Sequence, residues 1–186
     1  MRLFVAIEIQ EDIRAAISSL LKEFRAISPQ TKWVRPENMH LTLKFLGETN
    51  PAKLDEVQSA LRVIHLAPPV TIEFRGLGFF PNAKRPRVFW AGIHGPATLA
   101  RIAGEIDQAL HKLGFPLEDR PFTPHLTLGR FNDSFLPAAL QAAVTQMAAA
   151  SFGTFRAKEF HLIESKLKSS GAEYTTLQSF PFVAEA

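Results

Sequence analysis

His40-Leu41-Thr42-Leu43 recurs unchanged as His125-Leu126-Thr127-Leu128, and these two copies organise the 186-residue chain. They lie 85 residues apart (125 − 40), a little under half the length. A strand alternates its side chains, so each copy places His and Thr on one face and both Leu on the other. The Leu faces suit a core and the His–Thr faces suit a cleft. If the copies face each other, the cleft holds two imidazoles and two hydroxyls, the groups that acid–base chemistry on a phosphate requires. The competing reading is two ordinary buried strands. The context argues against it: Pro36 and Pro121 each precede their histidine by four residues. Behind the motifs, Thr49-Asn50-Pro51 and Asp133-Ser134 with Pro137 read as helix starts, with a polar cap and proline in the first turn. The His-to-Pro offsets, 11 (51 − 40) and 12 (137 − 125), repeat as well.

The apolar periodicity predicts a strand over 3–9 and a helix over 12–27, whose stripe is Ile13, Ile17, Leu20, Leu21 and Phe24. An extended piece at Lys32-Trp33-Val34 precedes the first motif strand, 40–46, which Gly47 closes. A helix over 51–64 and strands over 70–80 and 87–93 follow. The second half repeats the order: a helix over 98–113, the second motif strand over 125–131, and a helix over 136–149. Strands over 155–167 and 174–182, around the turn Ser169-Ser170-Gly171, complete the chain. Helix, motif strand, helix, strand occurring twice implies a duplicated α+β lobe with pseudo-two-fold symmetry, the motifs meeting at the axis. No linker separates the halves, so a single domain over 1–186 is expected.

Composition narrows the chemistry. There is no cysteine, which excludes disulfides, thiolate metal sites and a Cys nucleophile. The net charge of +3 and the pI near 9.4 suit an anionic ligand, but no Lys/Arg-dense run marks a long nucleic-acid groove. No carboxylate cluster flanks either motif, so neither a metal nor a cofactor is expected. The apolar start ends after five residues, and no stretch approaches the ~18 apolar residues of a membrane span. A soluble, cytoplasmic monomer is expected.

Beyond the motifs, Arg2-Leu3-Phe4-Val5-Ala6-Ile7, Lys32-Trp33-Val34, Lys44-Phe45-Leu46-Gly47 and Phe79-Phe80-Pro81 stand in a fixed order. Arg87-Val88-Phe89-Trp90-Ala91-Gly92 and Gly129-Arg130 continue it. In this order the chain resembles the 2H phosphoesterase superfamily, and within it the RNA 2′,3′-cyclic phosphodiesterases long called 2′-5′ RNA ligases. The resemblance implies a bilobal α+β fold, each lobe an antiparallel sheet with helices packed outside, around a central cleft. It implies a metal-independent opening of 2′,3′-cyclic phosphate RNA ends, with joining of tRNA halves through a 2′-5′ bond as a reverse reaction. By the same resemblance, His125 is the base that activates water and His40 the acid that protonates O3′. The sequence leaves these two roles interchangeable.

Thr42 and Thr127 share the histidines' faces and would donate to phosphoryl oxygens. Alternation places Lys44 on the His40 face. Arg130 resembles a family position near the phosphate, yet alternation puts it with Leu126 and Leu128 unless the strand bulges at Gly129 or has already ended. Phe4 and Trp33 are candidates to stack on a nucleobase, against the alternative that they are core aromatics. His65, His94, His111 and His161 read as bystanders. Two other functions fit the same residues: an RNA-end binding module, and a 2H enzyme acting on a small cyclic nucleotide.

Overall fold

The computed structural model describes residues 1–64, 69–132, 136–169 and 171–182. His65, the helix start at Asp133-Ser134, and Ser170 of the last turn lie outside the described residues. The first apolar stripe is buried along α1 (Glu11–Ile27), with Glu11 and Asp12 in its first turn and Arg25 in its last complementing the helix dipole. Asn50 caps the turn Pro51–Lys53 by accepting from the Ala52 amide and so starts α2 (Leu54–Arg62). The remaining helices are α3 (Ala97–His111) and α4 (Ala138–Gln146). No helix among the described residues is long and apolar enough to cross a membrane.

The strands form two antiparallel sheets. One is ordered β3 (His40–Glu48), β1 (Arg2–Glu8), β8 (Glu159–Lys168), β9 (Gly171–Pro181). The other is ordered β2 (Lys32–Trp33), β6 (His125–Arg130), β5 (Val88–His94), β4 (Val70–Phe80), β7 (Ser151–Ala157). We call them the first and second sheets. β3–β1–β8–β9 and β6–β5–β4–β7 correspond strand for strand, so the expected duplication is present in space.

The lobes are not successive halves of the chain. α1, which leads from β1 of the first sheet to β2 of the second, packs on β7 and α4 and sets Phe24 against Trp33 and Phe89 of the second sheet. α3, which connects strands of the second, packs on β3 and α2. The strand expected over 155–167 is two strands in different sheets, parting at Lys158. Its apolar run gives no sign of the switch, because Ala157 and Phe160 are buried on either side of the break. There the Lys158 carbonyl accepts from the Phe182 amide instead of a neighbouring strand. One contiguous apolar cluster joins both sheets and all four described helices. Each fully buried Phe or Ile in it, such as Phe24, Phe89 and Ile17, contributes about 1.5–3 kcal/mol.

Candidate active site

The two motif strands approach each other where the sheets meet. Leu41, Leu43, Leu126 and Leu128 point into the core, while His40, Thr42, His125 and Thr127 line one cleft of about 490 Å³. Each motif strand bulges just after its threonine. Opposite β1, Ala6 pairs with Thr42 and Val5 with Lys44, leaving Leu43 extra; opposite β5, Trp90 pairs with Thr127 and Phe89 with Gly129, leaving Leu128 extra. A bulge shifts the alternation by one residue. The fourth residue after each histidine therefore turns inward and the fifth returns to the cleft: Lys44 and Gly129 are buried, while Phe45 and Arg130 line the cleft.

Both imidazoles are anchored in the same way. His40 Nδ1 lies 2.8 Å from the Asn38 carbonyl, and His125 Nδ1 lies 2.9 Å from the Thr123 carbonyl. A carbonyl only accepts, so Nδ1 carries the proton in each ring and Nε2 is left to take up or release one. Phe4 stacks obliquely under His40 at 4.6 Å between centroids, and Tyr174 meets the same ring edge-on at 5.2 Å. Phe80 meets His125 edge-on at 5.0 Å. The His40 pKa is lowered to about 4, chiefly by burial and to a lesser extent by the Arg130 charge, against the opposing effects of the Asn38 hydrogen bond and Glu8. Burial also raises the Tyr174 pKa, opposed by Arg130 and Arg2. Among the described residues, no protein group hydrogen-bonds the hydroxyl of Thr42 or Thr127.

Four further expectations meet the structure differently. Arg130 lines the cleft by way of the bulge, which falls at Leu128 rather than Gly129. Lys44 is a correction: it is 3 % exposed on the opposite face, and its ammonium is held by Asp107, the Pro116 carbonyl and Glu118. Trp33 is a correction too. Its indole donates to the Ser28 carbonyl and packs against Phe24, Phe89 and Gly129, away from the cleft lining. Phe4 lines the cleft but is 3 % exposed, its ring covered by His40, Phe45 and Tyr174; it supports a histidine and has no free face for a base.

Sequence reasoning missed Phe45, which is 57 % exposed at the cleft, together with Asn38, Phe80 and Tyr174. For Phe45 a signal existed: it stands five residues after its histidine, as Arg130 does after the other (45 − 40 and 130 − 125). Asn38 also ties the site together, since its side-chain amide donates to the Ala172 carbonyl at the start of β9. Among the described residues, no group of three or more His, Cys, Asp or Glu is placed to hold a metal ion.

Two antiparallel sheets presenting paired His-x-Thr strands to a shared cleft define a two-histidine phosphoesterase architecture. The chain belongs to the LigT-like phosphoesterase family, whose model matches residues 7–90 and 94–174. It is 38% identical over 180 residues to an RNA 2′,3′-cyclic phosphodiesterase of Archaeoglobus fulgidus, covering 97% of this chain and 99% of the relative. A crystal structure from Thermus thermophilus superposes with a TM-score of 0.84 at 30% identity, covering 100% of both chains. E. coli LigT complexed with 3′-AMP superposes with a TM-score of 0.76 at 27% identity, covering 97% of both chains.

Proposed function

We propose that this protein opens 2′,3′-cyclic phosphates at RNA ends to 2′-phosphomonoesters, using His40 and His125 as an acid–base pair without a metal. The observation that carries the proposal is that both imidazoles, each anchored through Nδ1 on a backbone carbonyl, line one cleft. Relatives matching nearly the whole chain are named RNA 2′,3′-cyclic phosphodiesterases, and E. coli LigT holds a nucleotide.

In the reaction His125 Nε2 takes a proton from water as its oxygen attacks phosphorus. The P–O3′ bond breaks, and His40 Nε2 returns a proton to O3′. One water is consumed and the 2′-ester remains. Thr42 and Thr127 donate to the non-bridging oxygens, where negative charge accumulates. A phosphate anion beside His40 opposes both the burial and the Arg130 charge that depress its pKa, so His40 takes up its proton from solvent when the substrate binds. Phe45 offers the terminal base an aromatic face. A 5′-hydroxyl in place of water forms a 2′-5′ bond instead, the joining reaction for tRNA halves.

The test is turnover of an oligonucleotide with a cyclic end by purified protein in excess EDTA, with the phosphate position of the product identified. Opening to a 2′-phosphate is expected. His40→Ala and His125→Ala should each lower kcat by about 10²–10⁴-fold with the fold intact. Near-normal rates in either variant, or a strict need for added metal, would refute the two-histidine scheme.

A further inference from the structure

Strand pairing gathers a basic edge at the Arg130 end of the second sheet. Lys32 on β2 lies directly opposite Arg130 on β6, so the two side chains share a face, and Arg130 in turn lies opposite Val88 on β5. Val88 pairs with Phe80, whose ring touches His125. The loop joining β4 to β5 leaves from that point and carries Lys84, Arg85 and Arg87, all exposed. Asn82 orders this loop by accepting from the Lys84 and Arg85 amides at 3.0 and 3.1 Å. Arg87 is fastened to the end of β6 by donating to the Asn132 carbonyl at 3.0 Å.

Among the described residues no carboxylate pairs with this edge. The segments 24–36, 79–95 and 120–132, which build it, contain no Asp or Glu. Among the described residues Lys32, Lys84, Arg85, Arg87 and Arg130 have no ion-pair partner. On the neighbouring first sheet, by contrast, Lys166 pairs with Glu164 and Lys168 with Glu173. Five unopposed cations lead away from the cleft holding the paired histidines, and Arg130 is common to the edge and the cleft lining. The edge and the cleft are thus continuous, and a chain of phosphates is the ligand with matching charge and reach.

We propose that Lys32, Lys84, Arg85 and Arg87 form a track for the phosphodiesters of an RNA strand whose cyclic end occupies the cleft. Phosphodiesters beyond the terminal nucleotide then add binding that a cyclic mononucleotide lacks. This rests on the hydrolytic reading above and extends it beyond the terminal nucleotide.

The experiment compares kcat/KM for a mononucleotide 2′,3′-cyclic phosphate and for a short oligoribonucleotide with the same cyclic terminal nucleotide, across a salt series. The oligonucleotide should be preferred at low salt, and its log kcat/KM should fall with log salt by about 0.7 per phosphate contacted. The mononucleotide should respond far less. The double variant Lys84→Gln/Arg85→Gln should cut the oligonucleotide slope by about 1.4 and leave the mononucleotide rate unchanged, which also reports an intact fold. Equal slopes for the two substrates, or an unchanged slope in the variant, would overturn the track. If neither substrate is opened, the hydrolytic reading fails. Salt-dependent binding of the oligonucleotide to both proteins, followed by fluorescence anisotropy, then decides the track by the same slope criterion.

Discussion

Burial, more than any single charge, keeps the His40 imidazole neutral above about pH 4. The unfolded chain binds a proton at this residue near pH 6.5, so between these values it holds more protons than the native state, and stability falls as pH drops. The expected loss is at most about 3 kcal/mol. Urea denaturation through this window should show a gentler pH slope in His40→Gln than in the wild type. Equal slopes would mean His40 is not desolvated as described. On the proposed mechanism the same depression should place the His40 limb of the kcat/KM profile near pH 4, and a limb near pH 6.5 instead would argue against it. Phe45 acts at the residue scale too. Base stacking is worth about 1–3 kcal/mol, so Phe45→Ala should raise KM for a cyclic-ended RNA by about tenfold with kcat little changed. A loss confined to kcat would assign Phe45 to the chemistry rather than to binding.

At the scale of elements, the paired bulges matter most. Without them Lys44 and Gly129 would face the cleft, and Phe45 and Arg130 would face the core. Lys44 shows what the shift achieves: its ammonium joins β3 to Asp107 on α3 and to the Pro116 carbonyl, at the head of the segment leading to His125. Asp107 also accepts from the Glu118 amide. Removing the cation leaves a mostly buried carboxylate unpaired, so Lys44→Ala should cost about 3 kcal/mol in chemical denaturation. Lys44→Ala/Asp107→Ala should recover part of that loss. A double variant no better than the single one would mean that the charges are not coupled.

Across the whole molecule, crossed helices and a returning carboxy terminus bind the lobes. β8 and β9 complete the sheet that β1 and β3 begin, while α1 packs on β7 of the second sheet and α3, between β5 and β6 of the second, packs on β3 of the first. We infer that the described residues fold as one cooperative unit, because one contiguous apolar cluster runs through both sheets and all four described helices. Far-ultraviolet circular dichroism and tryptophan fluorescence should report one coincident thermal transition. Trp33 and Trp90 both lie in the second sheet, so an independently melting first sheet would separate the two signals.

Much of this was already legible in residue order. Two identical tetrapeptides with strand alternation specify two Leu faces and two His–Thr faces whatever surrounds them, and the apolar stripes specify the helices. These are local properties, set by backbone geometry within a few residues. Long-range pairing settled the remainder. A bulge depends on the register of the partner strand, so it chose Arg130 and Phe45 for the cleft and withdrew Lys44 from it. The sheet switch at Lys158, the packing of half-buried Trp33 and the burial of Phe4 likewise depend on neighbours distant in sequence. The basic edge follows the same logic, since three unremarkable segments become one charged surface only when β2, β6 and the β4–β5 loop lie side by side.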